Sequence, residues 1–104
     1  MDIYDRRKVL ARRIRKFGFP QVEKEIFANF PARVKRVFRT SVLRDLLICG
    51  EGQLLRTTRG FGRKSLSDLK ISLNQFGLTT HMDPAVLDDL GIEYPYWDKK
   101  GGAR

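Results

Sequence analysis

Arg59-Gly60-Phe61-Gly62-Arg63-Lys64-Ser65-Leu66 is the stretch on which the reading of this chain turns. Two glycines in three residues permit a backbone with positive φ and leave no Cβ to block a close approach. The residue between them, Phe61, is large and apolar, so it can pin such a turn to a core. Behind the turn, Leu66, Leu69, Leu73 and Phe76 recur at helical spacing, and Gly77 supplies a stop. That pattern predicts a helix starting at Ser65, with Ser65 and Asp68 at capping-box separation. A helix start leaves amide N–H groups without intrahelical acceptors and gathers partial positive charge, so a phosphate oxygen is a natural occupant. Arg59, Arg63 and Lys64 add full charges and the Ser65 hydroxyl adds a donor. An arbitrary Gly-x-Gly before a helix is more often a plain turn. Here the basic flank and the apolar middle residue favour an anion site built from Arg59, Gly60, Gly62, Arg63, Lys64 and Ser65.

The rest of the chain also reads as short helices. Asp2 and Asp5 stand at capping-box spacing before a basic amphipathic segment, residues 2–17, whose inward positions are Leu10, Ile14 and Phe17. A second helix starts near Pro20 with Val22, Ile26 and Phe30 on one face, and Pro31 ends it and can open the next. The third turns Val34, Val37 and Phe38 inward and leaves Arg33 and Arg36 outside as i, i+3 neighbours. Thr40 or Ser41 can cap a fourth, containing Val42, Leu43, Leu46 and Leu47, and a short helical turn follows around Gln53–Arg56. Asp83 and Pro84 open a last short helix ending at Gly91. Gly50-Glu51-Gly52 weakly echoes Gly60-Phe61-Gly62 and hints at two turns of similar shape. No stretch alternates with period two for long enough to make a sheet. The expected fold is all-α, a compact bundle of short helices.

Charge decides the kind of partner. The 104 residues carry 21 Lys and Arg against 12 Asp and Glu, a formal charge of +9. Residues 1–40 hold 12 basic and 4 acidic side chains, residues 41–80 hold 6 and 3, and residues 81–104 hold 3 and 5. The net charges of +8, +3 and −2 direct a polyanion to the first three quarters of the chain. Seven cations crowd residues 6–16, either as a solvated face or along a second phosphate strand. No apolar run approaches the ~20 residues of a membrane span, and nothing reads as a signal peptide. A single cysteine, Cys49, reads as a core thiol and fits a reducing cytoplasm. With one histidine, His81, and one cysteine there is no zinc cluster or Cys-His pair, and no cofactor is expected. Asp88 and Asp89 are adjacent and point apart on a helix, so they read as solvated surface rather than a two-carboxylate centre. Tyr94, Tyr96 and Trp97 read as packing or protein-contact residues. The chain is expected to act without catalysis.

From about Phe30 to Met82 the sequence resembles the C-terminal domain of the bacterial RNA polymerase alpha subunit. The resemblance is strongest in Gly-Phe-Gly-Arg-Lys-Ser-Leu-Ser-Asp-Leu-Lys (residues 60–70) and Phe76-Gly77-Leu78. Arg44-Asp45-Leu46-Leu47 and Glu51-Gly52-Gln53-Leu54-Leu55 are also similar to family segments. It implies a helical domain with helix-hairpin-helix turns that binds the minor groove of A·T-rich duplex DNA, in a bacterial or phage setting. It aligns Arg33 with the arginine inserted into that groove, and Gly62, Lys64 and Ser65 with backbone-contacting positions. Arg36 falls where the family has Asn and Asp68 where it has Glu. The large assembly domain of alpha is absent, so the chain looks like a stand-alone relative. The division it suggests is a basic helical extension at 1–29, the resembling domain at 30–82, and a short helix with an acidic, aromatic tail at 83–104. The expected function is a DNA-binding protein of transcription type, in the cytoplasm and associated with the nucleoid, with specificity resting on Arg33 and Arg36. Two alternatives stand beside it: a module docking on RNA polymerase or a transcription regulator, and an RNA- or ribosome-associated backbone binder.

Overall fold

Asp2 opens the first helix, α1 (Ile3–Phe17), by accepting the Asp5 amide on its carboxylate at 2.8 Å. In the computed structural model, which describes residues 2–39 and 41–94, six further helices follow among the described residues. They are α2 (Phe19–Ala28), α3 (Ala32–Phe38), α4 (Leu43–Ile48), α5 (Glu51–Thr57), α6 (Arg63–Asn74) and α7 (Pro84–Leu90). The described residues contain no strand, and their regular structure is all helix.

The apolar spacing places the core largely where the sequence puts it. Val22, Ile26, Val34, Leu47, Leu69, Leu73 and Leu87 are fully buried. Asp83 caps α7 by accepting the Ala85 amide at 2.9 Å, and Gly91 ends that helix in the left-handed conformation. Several expectations are corrected. Phe17 is 53% exposed, because Gly18 turns the chain away directly behind it at φ 87 and leaves the end of α1 uncovered. Ser41 does not cap α4: its amide donates to the Phe38 carbonyl at 3.0 Å, and Val42 holds the cap position with backbone alone. Thr40 lies outside the described residues, as do Tyr96 and Trp97. The two glycine pairs also differ. Gly50 is the N-cap of α5 at φ −79 and Gly52 sits inside that helix, whereas Gly60 has φ +76.

One hydrophobic cluster runs from Leu10 to Ile92 and draws on residues before 30, from 30 to 82 and from 83 to 92. Leu10 and Ile14 of α1 enter it, and α1 packs on α2 and α7. Arg7 Nε donates to the Gly77 carbonyl at 2.7 Å and Arg6 Nη1 to the Asn74 carbonyl at 2.9 Å, fastening α1 to the far end of α6. The link from α6 to α7 is pinned in turn. His81 and Met82 donate their amides to the Cys49 and Leu47 carbonyls at 2.9 and 2.8 Å.

Two charged side chains are drawn inside this frame. Arg44 is 11% exposed and reaches both the Ile92 carbonyl and Asp88 Oδ1 at 2.7 Å, with its guanidinium 5.2 Å from the centre of the Tyr94 ring. Asp88, expected as solvated surface, is exposed and also forms this ion pair. Burial pushes the Glu23 carboxyl above its ordinary value of 4.5, and the Leu43 amide draws it partly back. A raised folded-state value means that the folded chain holds that proton more tightly than the unfolded one. Stability from this group is therefore full below pH 4.5 and is lost as pH rises through the raised value. Glu23→Gln keeps the acceptor and removes the charge. Thermal melts should show a higher Tm than wild type at pH 7 and no difference at pH 3; a lower Tm at pH 7 would contradict this account.

Candidate nucleic-acid interface

The turn between α5 and α6 is built from backbone rather than from capping side chains. Thr58 closes α5 by donating its amide to the Leu54 carbonyl, and the Phe61 amide returns to the Thr58 carbonyl at 3.3 Å. Gly60 takes φ +76 between them, a conformation that favours glycine. Phe61 is 6% exposed and meets the Phe38 ring edge-on, with centroids 5.1 Å apart. That contact ties the turn to the C-terminal end of α3.

The helix behind the turn starts two residues earlier than the serine motif predicts. Gly62 is its N-cap, at φ −111 and ψ −173, and no side chain caps the helix. Ser65 is therefore the third residue of α6, one helical turn before the fully buried Leu69, and it is only 4% exposed. Little of the side chain is left to meet a ligand, but the amide of Ser65 stays without an acceptor among the described residues. Among the described residues nothing accepts a hydrogen bond from the amides of Arg63, Lys64 or Ser65; the first amide engaged is that of Leu66, at 2.9 Å from the Gly62 carbonyl.

Around these three donors the charge is open. Arg59, Arg63 and Lys64 are exposed, and among the described residues no carboxylate pairs with them. Arg56, in the last turn of α5, is a further exposed cation on the entry side of the turn. Its position in a helix gave the sequence reading no signal for it. Lys70, further along α6, is engaged by Glu51 at 2.7 Å.

Gly62 has a further property. A Cβ built there would meet nothing within 4 Å, and its φ is one that any residue adopts. The fold itself supplies no steric reason for glycine at this position. A methyl group there would instead stand in the open space beside the free amides.

Arg33 and Arg36 are exposed on α3, as the spacing predicts. Arg36 lies two residues before Phe38 and Arg39 one after, so both stand near the end of α3 that holds Phe61. Arg33 is five residues from Phe38, about 7.5 Å of helix rise, against about 3 Å for Arg36. Phe38 touches the turn through Phe61, while Arg33 and Arg36 stand on other sides of the same helix, since i, i+2 and i, i+5 positions do not face one way. Among the described residues, no three His, Cys, Asp or Glu side chains are grouped to hold a metal ion, and no helix is long and apolar enough to cross a membrane.

No family model, curated protein or solved structure matches the chain.

Proposed function

We propose that this chain is a DNA-binding protein of transcription type that grips the backbone of duplex DNA through α5, the glycine turn and α6, acting together as a helix-hairpin-helix. The three free amides receive phosphate oxygens, and Arg59, Arg63 and Lys64 neutralise the flanking charges. Arg36 and Arg33, on α3, face the minor groove and carry such base preference as the protein has, in line with the resemblance to the polymerase alpha C-terminal domain. The protein works by binding alone, on the nucleoid in the cytoplasm.

The observation that carries this reading is the empty space at Gly62 beside the free amides. It also gives the test. Alanine is a poorer N-cap than glycine by about 0.5–1 kcal/mol, whereas loss of glycine's freedom in the unfolded chain returns about 0.4–1 kcal/mol. These terms nearly cancel, so Gly62→Ala should fold and melt like wild type. Its methyl group should nevertheless weaken binding to a 20-base-pair A·T-rich duplex about tenfold in a fluorescence-anisotropy titration at low salt. Wild-type affinity in a normally folded Gly62→Ala protein would overturn the proposal.

A further inference from the structure

The seven cations of residues 6–16 divide into two groups once the fold is in view. Three serve the fold: Arg6 and Arg7 hold the Asn74 and Gly77 carbonyls, and Arg13 pairs with Glu25. The other four, Lys8, Arg12, Arg15 and Lys16, are exposed and meet no carboxylate among the described residues. At 100° per residue these four lie on the side of α1 opposite Leu10 and Ile14. They form one outward stripe.

The composition of that stripe is unlike an ordinary solvated helix face, which interleaves both signs. Lys8, Arg12 and Lys16 follow one another at i, i+4 and i+8, a ladder of like charges that opposes helix formation. No acid occurs between Asp5 and the end of α1 to relieve it. A polyanion laid along the helix would. Lys8 to Lys16 covers about 12 Å, and a duplex displays one phosphate charge for every ~1.7 Å of its axis. Tyr4, Val9 and Phe17 are exposed at its margins, but the centre of the stripe holds cations alone and lacks the central apolar anchor of a protein interface. Leu10 and Ile14 of α1 are buried in the core, and the exposed Tyr4, Val9 and Phe17 are spread around the helix, so they form no continuous apolar face of the kind amphipathic membrane helices lay into a bilayer.

The stripe is also separate from the glycine turn. Arg6 and Arg7 bind carbonyls at and beyond the C-terminal end of α6, whereas Gly62 caps its start. The helix between is twelve residues, about 18 Å long. Its intervening exposed residues are Ser67, Ile71 and Asn74, with Lys70 neutralised by Glu51. This neutral strip, with Ile71 59% exposed, is no continuation of a phosphate track.

We propose that the outward face of α1 is a second backbone-binding surface, and that it takes a separate duplex segment, so that one molecule bridges two. This rests on the turn being the first such surface. The test uses two 20-base-pair duplexes, one on a bead and one fluorescent, with the full chain at low salt. Wild type should carry the fluorescent duplex onto the bead. Lys8→Glu with Arg12→Glu and Lys16→Glu should reduce that capture more than tenfold, while anisotropy shows a single duplex still bound within about threefold of wild-type affinity. The milder Lys8→Gln, Arg12→Gln, Lys16→Gln protein should lie between them, and its helix content should match wild type. Lys64→Glu should also lose capture yet keep one duplex on the stripe. If wild type captures nothing while Lys64→Glu abolishes all binding, the bridging proposal is overturned and the turn reading stands. If wild type captures nothing and Lys64→Glu leaves single-duplex binding intact, both are overturned. Capture that survives the triple charge reversal overturns the second surface, since the bridge then forms by another route. So does one duplex per protein together with loss, in the triple variant, of binding to phosphatidylserine vesicles.

Discussion

Gly77→Ala is expected to destabilise the protein by about 3–5 kcal/mol, the largest stability effect of any single substitution considered. Gly77 has φ +78, and an alanine forced into that left-handed region costs about 1–2 kcal/mol. The added Cβ would also stand 2.6 Å from the Arg7 amide nitrogen and 2.9 Å from the Ile3 carbonyl oxygen. Both are backbone atoms of a helix and cannot swing aside. The clash is relieved only if α1 lifts away, which breaks the Arg7–Gly77 and Arg6–Asn74 hydrogen bonds and draws Leu10 from the core. Overpacking of this kind costs about 1–3 kcal/mol, and each hydrogen bond to a charged donor is worth about 1.5–3 kcal/mol. These terms overlap, since lifting α1 trades one for the other. A drop in Tm of about 12 °C or more should follow. Gly60→Ala is the control. Its φ of +76 is nearly the same, but a Cβ there meets nothing within 4 Å, so only the backbone cost applies. Equal losses in the two variants would mean that α1 does not sit against Gly77.

That pair of glycines shows what a sequence can and cannot reveal. Both read as local punctuation, and for Gly60 that is sufficient. For Gly77 the larger constraint comes from Arg7 and Ile3, seventy or more positions away, and no local pattern encodes such an approach. The helices themselves were legible because burial follows a period: Val22, Ile26 and Phe30 or Leu66, Leu69 and Leu73 are inward wherever the spacing puts them. The Asp2 and Asp83 caps were legible because a carboxylate that caps a helix leaves a side-chain signature. Gly62 caps with backbone conformation alone, so Ser65 and Asp68 offered a plausible but wrong start two residues later. In α1, Leu10 and Ile14 were likewise legible as inward despite the seven cations around them, whereas Phe17, given the same role, lies past the point where Gly18 turns the chain away. In the candidate site, the turn, its cations and the exposure of Arg33 and Arg36 were readable from residue type. The burial of Ser65 and the edge-on contact of Phe61 with Phe38 depend on how α3, α5 and α6 pack, which residue type alone does not reveal.

Arg63→Glu combined with Lys64→Glu is expected to lower affinity for duplex DNA about 100-fold or more at low salt, while leaving stability unchanged or slightly improved. The two effects have opposite signs for one reason. Both side chains are exposed in the first turn of α6 without a partner, so their replacement breaks no contact in the fold. Glutamates at a helix start are favoured by the dipole, by about 0.3–1 kcal/mol each at low ionic strength. A phosphate seeking the same amides meets two negative charges instead of two positive ones. If each cation neutralises one phosphate, the slope of log K against log salt should flatten by about 1.8. The flattening distinguishes lost phosphate contacts from a misfolded protein, because a melt of the same sample should match or exceed wild type. Arg33→Ala offers a contrast: it should narrow the preference for A·T-rich over G·C-rich duplex and change the slope by no more than about one unit. A double variant as stable as wild type, with equal affinity and an unchanged salt slope, would remove the start of α6 from the function. The free amides at Arg63, Lys64 and Ser65 would then be an uncapped helix end and nothing more.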